Sequence, residues 1–186
     1  MTGAAPRRVL FLTASARKGG NTEMLAQRAA SGLGPAGQRE WQDLAYPTLP
    51  PYTDRRPAGR APRGRLAALA QAVLAADDLV LAAPVYWYAL PAPAKLFLDH
   101  WTSWLDAPQT GFAEGLRGKR LWLITVRADP DPSAAAPVEA AMMQTARFLA
   151  MDWRGALHGI GDAPGDVARD AKAWGAAPRF LELGGA

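Results

Sequence analysis

Residues 8–25 read RVLFLTASARKGGNTEML and combine a buried strand, a glycine-rich turn and the start of a helix. The apolar run Val9–Leu12 is continuous, which is typical of a strand that is buried on both faces of a parallel sheet. Asn21 or Thr22 is expected to cap the helix, and Glu23 complements the positive end of the helix dipole. This order of elements indicates an α/β protein.

The rest of the chain repeats the alternation of strand and helix. Further strands are predicted over residues 40–44, 79–83, 121–126 and 153–160, with helical patterns between them and a last helix that includes Val167, Ala171 and Trp174. Strands that alternate with helices form right-handed crossovers in a doubly wound parallel sheet. Five strands favour the order 2-1-3-4-5 with helices on both faces, and we expect one domain over residues 1–186.

Composition limits the chemistry. The chain has no cysteine, which excludes disulfides, thiolate nucleophiles, cysteine-bound zinc and iron–sulfur clusters, so redox chemistry requires a bound cofactor. Asp129 and Asp131 are interpreted as turn residues, and His100 and His158 as structural residues, so no metal site is predicted. The 21 basic and 17 acidic residues give a net charge of +4, which favours anionic partners in general. Because no stacking platform with interleaved basic residues is present, nucleic acid is not expected among them.

The apolar runs are short. None reaches the roughly 18 residues that a membrane-spanning helix needs, and the run that follows Arg7 and Arg8 is too short for the core of a signal peptide. We therefore expect a cytoplasmic protein that does not bind membranes.

The first loop has the composition of a phosphate site. The candidate phosphate-binding residues lie between the first strand and the first helix. They comprise short hydrogen-bond donors, an arginine and a glycine: Ser15, Arg17, Gly20, Asn21 and Thr22. Amides at a helix start attract anions, and glycine lets the backbone approach them closely. No Gly-Lys-Ser/Thr sequence closes the loop, which disfavours nucleoside triphosphate hydrolysis. The same residues are also ordinary turn and capping residues, so this evidence leaves both interpretations open.

The second loop follows the third strand and is rich in aromatic residues. It contains Pro84, Val85, Tyr86, Trp87 and Tyr88. Three consecutive aromatic side chains cannot all point into a core, whereas a flat ring system would use them as walls. A surface patch or a subunit contact is the alternative interpretation.

Taken together, these segments resemble a known family. Residues 15–22 and 84–87, with Lys95, Phe97 and Asp99 downstream, resemble the NADPH-dependent FMN reductase branch of the flavodoxin-like flavoproteins. The resemblance implies that the first loop binds the FMN phosphate and that the second lies along the isoalloxazine ring. It also implies that a third loop, with Thr125 and Arg127, completes the flavin site.

The chain departs from this family in several places. Related iron–sulfur flavoproteins place cysteines in the segment equivalent to residues 50–64, where this chain has Tyr52, Asp54, Arg55 and Arg56. The family usually has a small residue at the position of Tyr88 and often has arginine at that of His100. Access to the ring and the size of the electron acceptor are therefore expected to differ.

The resemblance implies an FMN-dependent NAD(P)H oxidoreductase. Electrons would pass from NADPH or NADH through FMN to a small acceptor such as a quinone, flavin, nitro or azo compound, with no catalytic side chain. A flavodoxin-type electron carrier and a non-enzymatic flavin- or nucleotide-binding protein are the alternatives. Trp87, Trp101 and Trp104 are expected to be exposed, which favours a homodimer or a higher homo-oligomer, and core packing of the helical pair Trp101 and Trp104 is the alternative.

Residues 45–64 form a long segment with five prolines and four arginines and no helical or strand periodicity. Its length favours a functional cover over a site, or disorder. One hypothesis is that the arginines of this segment recognise the extra phosphate of NADPH or contact a neighbouring subunit, which replacement of Arg55 and Arg56 would test. A solvated basic loop is the alternative.

Overall fold

The computed structural model describes residues 7–34, 37–54 and 60–182. Its five strands are β1 (Arg8–Thr13), β2 (Gln38–Asp43), β3 (Asp78–Ala82), β4 (Arg120–Arg127) and β5 (Asp152–Ile160). All neighbouring strands are parallel, and the sheet order is β2-β1-β3-β4-β5. The predicted doubly wound order 2-1-3-4-5 is confirmed.

Helices cover both faces of the sheet, as predicted. They are α1 (Asn21–Ala30), α2 (Arg65–Ala75), α3 (Ala92–Leu105), α4 (Phe112–Leu116), α5 (Ala136–Phe148) and α6 (Ala171–Phe180). Short 3-10 turns lie at Pro108–Thr110, Pro132–Ala135 and Asp166–Arg169. Buried residues of α1 and α6 form the core on one face, and those of α2, α3, α4 and α5 form the core on the other.

Strand β1 shows why its apolar run is continuous. Val9 and Phe11 point into the core beneath α1 and α6, whereas Leu10 and Leu12 point into the core on the opposite face. Both sets are buried, which confirms that the strand is covered on both sides. Within the described ranges, no helix is long and apolar enough to cross a membrane.

The last helix differs from the prediction. Val167 lies in a separate 3-10 turn, and α6 begins only at Ala171. The Asp170 side chain accepts a hydrogen bond from the Ala173 amide at 3.1 Å. This cap fixes the helix start after Val167, because the Asp170 backbone is not helical.

The expectation that Trp101 and Trp104 are exposed is wrong. They are 4% and 2% exposed, respectively. The ring of Phe112, on α4, lies 5.3 Å from the Trp101 ring and 5.0 Å from the Trp104 ring. The short helix α4, which the sequence patterns did not reveal, therefore buries this face of α3, so these two residues do not support an oligomer interface.

A buried ionic cluster closes the amino ends of the strands. The fully buried Asp78 carboxylate accepts hydrogen bonds from Arg7 Nε at 2.6 Å, Arg120 Nη2 at 2.7 Å and Trp122 Nε1 at 2.6 Å. Burial by itself would raise the pKa of Asp78, but these hydrogen bonds and the Arg7 charge hold its pKa below the ordinary value. The cluster ties the chain before β1 to β3 and β4.

Candidate functional site

A cleft of about 280 Å³ lies at the carboxyl ends of the strands. This is the edge where ligands bind in doubly wound sheets. The cleft brings together the predicted residues Ser15, Arg17, Gly20, Asn21, Thr22, Pro84, Val85, Tyr86 and Arg127. Loops that are far apart in the sequence therefore share one cavity, whereas Trp87, Tyr88 and Thr125 do not line it.

The start of α1 presents unused backbone donors to this cleft. The first helical hydrogen bond runs from the Met24 amide to the Gly20 carbonyl at 3.0 Å. Among the described residues, nothing accepts from the amides of Asn21, Thr22 and Glu23, as expected at a helix start. These amides and the positive end of the helix dipole form an anion-binding arrangement.

The turn before α1 adds side-chain donors. Ser15 Oγ accepts from the Arg17 amide at 3.1 Å, which leaves the hydroxyl proton available to a ligand. The exposed Arg17 guanidinium makes only a long contact of 3.4 Å, to the Asp162 carbonyl. A Cβ atom at Gly20 would lie 3.2 Å from the Arg17 carbonyl oxygen, so glycine lets the turn close tightly.

Asn21 has a different role from the predicted cap. Gly20 occupies the N-cap position, and no side chain caps α1. The Asn21 amide group instead donates to the Ala163 carbonyl at 2.9 Å, and its oxygen accepts from the Gly165 amide at 2.9 Å and the Val167 amide at 3.4 Å. The side chain is drawn away from a capping position because the loop after β5 offers it these three backbone partners. It joins the start of α1 to that loop.

The aromatic loop is a tight two-residue turn. Tyr86 and Ala89 exchange backbone hydrogen bonds of 3.1 and 3.0 Å around Trp87 and Tyr88. Trp87 and Tyr88 have φ angles of 52° and 61°, which lie in the left-handed region that bulky side chains rarely adopt. Such strain is typical of functional sites.

The turn exposes its side chains, as expected from their sequence. Tyr86 lines the cleft, whereas Trp87 is 93% exposed and Tyr88 is 57% exposed. The Val85 amide bonds to the Val126 carbonyl at 3.0 Å, which fixes the loop to the end of β4. The loop is therefore fixed at Val85, and the turn that follows presents aromatic side chains beside the cleft.

Arg127 is the last residue of β4 and is buried at the cleft wall. Its Nε donates to the Asp131 carbonyl at 3.0 Å, and its Nη2 lies 3.4 Å from the Pro130 carbonyl. The guanidinium therefore holds the following loop while it contributes positive charge to the cleft. Thr125 is fully buried, and its Oγ1 has no hydrogen-bond partner among the described residues.

The aspartates of this loop are turn residues, which confirms their interpretation. Asp129 Oδ1 accepts from the Asp131 amide at 2.9 Å, and Asp131 Oδ1 accepts from the Ser133 amide at 2.8 Å. Hydrogen bonds from Ser133 lower the pKa of the Asp131 carboxyl. Within the described part of the chain, no group of three histidine or acidic side chains could hold a metal ion.

The histidines bind protein groups. His100 Nε2 lies 2.8 Å from the Pro50 carbonyl oxygen, so it links α3 to the proline-rich segment. His158 Nε2 lies 2.8 Å from Glu139 Oε2, which links β5 to α5. Neither residue lines the cleft.

Gly161 and Asp162 line the cleft but were missed by the sequence patterns. They follow β5 directly, so the rule that ligands bind at the carboxyl ends of strands would have found them. A Cβ at Gly161 would lie 2.9 Å from both Asn21 Nδ2 and the Val167 amide nitrogen. This close approach lets the loop after β5 close one side of the cleft.

Comparison with known proteins places the chain in a family. The family described as having a flavodoxin-like fold matches residues 7–178. The chain is 28% identical over 179 residues to the NAD(P)H-dependent FMN-containing oxidoreductase YwqN of Bacillus subtilis (strain 168), a match that covers 94% of this chain and 97% of that protein.

Solved structures share the fold. The Trp repressor binding protein from Bacillus subtilis superposes with a TM-score of 0.76 at 24% identity, covering 96% of this chain and 99% of that one. An NAD(P)H:quinone oxidoreductase from Methanothermobacter marburgensis superposes with a TM-score of 0.70 at 13% identity, covering 98% and 100%. The family match spans residues 7–178, and the chain belongs to the flavodoxin-like family.

Proposed function

We propose that this protein is an FMN-dependent NAD(P)H oxidoreductase that passes electrons to a small acceptor such as a quinone, flavin, nitro or azo compound. The observation that carries the proposal is the cleft in which the open amides of α1 face the aromatic turn. An anion pocket beside aromatic surface suits a ligand that joins a phosphate to a flat ring system. The similarity to the FMN-containing oxidoreductase YwqN supports the same assignment.

The first loop would hold the FMN phosphate. Its unused amides, the Ser15 hydroxyl proton and the Arg17 guanidinium are donors that lack strong protein partners. Thr22 adds a hydroxyl that lines the cleft and makes no hydrogen bond within the described residues. This donor set fits a dianionic phosphate, and Asn21 would hold the pocket in shape through the loop after β5.

The second and third loops would hold the flavin ring. Residues 84–86 form one wall of the cleft, and we assign Trp87 and Tyr88 to the exposed rim, where the nicotinamide and the acceptor approach. Arg127 would favour negative charge at the ring edge, and Thr125 would support the wall from inside the sheet. Bound FMN supplies hydride acceptance and electron donation, so no side chain has to act as a nucleophile.

The decisive experiment measures the chromophore and the turnover of purified protein. We expect a yellow preparation that releases FMN on denaturation and consumes NADPH or NADH faster when a quinone, flavin, nitro or azo compound is added. Without acceptor-dependent turnover the reductase assignment fails. If the protein is reduced by another protein and not by a nicotinamide, it is an electron carrier, and if it binds FMN without any redox turnover, it is a binding protein.

The remaining parts of the proposal concern the whole molecule. We propose that residues 1–186 act as one flavin-binding domain. Dependence on NADPH or NADH favours the cytoplasm, where these donors are regenerated. The exposed aromatic turn favours a homodimer or a higher homo-oligomer, and the molar mass from light scattering tests this assembly.

A further inference from the structure

We propose that a second pocket, between the proline-rich segment and α3, binds a phosphate monoester. The pocket has a volume of about 290 Å³ and lies outside the cleft described above. The polar residues that line it include Tyr52, Arg60 and Arg63 of the segment and His100 of α3.

The charge of the pocket favours an anion. Arg60 and Arg63 line it, and within the described residues neither guanidinium group forms an ion pair or hydrogen bond. None of its described lining residues carries a carboxylate. Two guanidinium groups in one concave site, both without partners among the described residues, provide the planar donors that bind phosphate well.

The Tyr52 hydroxyl provides an independent observation. Its oxygen is buried and has no hydrogen-bond partner among the described residues. Burial of an unpaired hydroxyl is unfavourable, so a ligand that pairs with it would recover the lost hydrogen bond. The Tyr52 ring packs edge-on against His100 at 5.6 Å, and His100 Nε2 lies 2.8 Å from the Pro50 carbonyl oxygen, so the ring contacts a side chain that is itself held by the segment.

An apolar cavity adjoins this pocket. It has a volume of about 560 Å³, shares Pro51 and Tyr52 with the arginine pocket, and is lined by Leu49 and by Ala92, Leu96 and Asp99 of α3. The Asp99 carboxylate accepts a hydrogen bond from Lys95 Nζ at 2.5 Å, so its charge is paired. Ala92 begins α3, which directly follows the aromatic loop. The two cavities together form a groove with an apolar end near that loop and a cationic end at the arginines. This groove suits a phosphate monoester with an apolar or aromatic body.

The phosphate has two possible sources. It belongs either to the 2′-phosphate of NADPH, an assignment that rests on the proposed function, or to a separate phosphorylated small molecule. The hypothesis for the arginines of residues 45–64 concerned the first source, and of these arginines Arg55 and Arg56 lie outside the described residues. The structure assigns the role to Arg60 and Arg63.

Calorimetric titration of FMN-loaded protein with 2′-AMP and with adenosine tests the site, because FMN keeps the probes out of the first anion pocket. If the protein takes up no FMN, the Arg17→Gln variant is titrated instead, because its first anion pocket lacks a charged donor. Failure of the proposed function can then be distinguished from failure of the second pocket to bind. We expect binding of 2′-AMP and not of adenosine, and a loss of affinity of about tenfold for each of Arg60→Gln and Arg63→Gln. Arg147→Gln, an equal charge change on the exposed surface of α5, should leave the affinity unchanged.

Tyr52→Phe gives a second test that a merely structural role would fail. Removing the unpaired hydroxyl should raise or maintain the melting temperature of the ligand-free protein while it weakens 2′-AMP binding. A weaker preference for NADPH over NADH in the double arginine variant assigns the site to the donor. An unchanged preference with weakened 2′-AMP binding assigns it to a separate ligand. If 2′-AMP does not bind, or binds the double variant as tightly as the wild type, the proposal is overturned.

Discussion

At the amino ends of the strands the Asp78 carboxylate is fully buried and bonded to two arginines and a tryptophan. At the carboxyl ends, by contrast, no group of the described residues accepts from the amides that begin α1. The first edge pairs its charges internally, and the second leaves donors open to the cleft. A buried charge without partners is strongly unfavourable, but donors at an exposed helix start are satisfied by water or by a ligand. One edge therefore contributes to stability, and the other is available for binding.

The largest effect is expected from removing Asp78, whose carboxylate pairs the charges at the amino ends of the strands. Asp78→Ala leaves Arg7, Arg120 and Trp122 without their shared acceptor, which should lower the free energy of unfolding by about 3–5 kcal/mol. Chemical denaturation measures this loss. Asp152→Ala removes an exposed carboxylate that pairs with the neighbouring Arg154, so it should cost less than about 1 kcal/mol. Equal losses in the two variants would contradict the special role of Asp78.

The open edge should respond in binding and not in stability. Arg17→Gln removes a charged donor from the anion pocket, which should weaken FMN binding by about 10- to 100-fold. Riboflavin, which lacks the phosphate, should bind the variant and the wild type equally. Fluorescence quenching of each flavin measures both affinities. A parallel loss of riboflavin affinity would place Arg17 at the ring instead.

Replacement of Asn21 should affect both stability and FMN binding. Asn21→Ala leaves the Ala163 carbonyl and the Gly165 amide without their partner, which should lower the free energy of unfolding by about 1–3 kcal/mol. FMN affinity should fall as well, because the loop after β5 closes the cleft. Denaturation and FMN titration of the same preparation separate the two effects. Unchanged FMN affinity in a destabilised variant would limit Asn21 to a structural role.

Acid should weaken the paired edge reversibly. Because the pKa of Asp78 is lowered in the folded state, its charge stabilises the fold above the ordinary aspartate value of 3.8 and this contribution is lost as the pH falls below it. The loss should be smaller than in Asp78→Ala, since a protonated carboxyl still accepts hydrogen bonds. Denaturation at about pH 5 and about pH 3 should give a steeper decline for the wild type than for Asp78→Asn. Identical declines would show that other groups govern the acid response.

The smallest effect is expected at Tyr88, which has a left-handed backbone in the turn beside the cleft. Tyr88→Gly relieves a left-handed tyrosine but adds the entropy cost of glycine, for a net gain in the free energy of unfolding of about 0.5 kcal/mol. Tyr86→Gly should destabilise the protein, because Tyr86 does not have a positive φ angle. Thermal unfolding of both variants measures the contrast. If both lose stability, the Tyr88 backbone carries no strain that glycine relieves.

Local sequence patterns are enough to predict the sheet and the loops that meet at its edge. The continuous run Val9–Leu12 can be buried only when both faces are covered, and the turn at residues 14–22 follows it directly, so local patterns indicate both the parallel sheet and an anion-binding loop. The clustering of this loop with residues 84–86 then follows from strand order, because parallel strands end at one edge.

The contacts of individual polar and aromatic side chains, in contrast, depend on the tertiary structure. Trp104 is buried because α4 lies over it, Asn21 bonds to a loop more than a hundred residues away, and Asp78 is bonded by three residues from two separate segments. Periodicity and propensity report only on neighbours along the chain, whereas these contacts depend on how distant elements pack. For the same reason, the left-handed turn at Trp87 and Tyr88 and the arginine pocket beside α3 were not evident until the chain was folded.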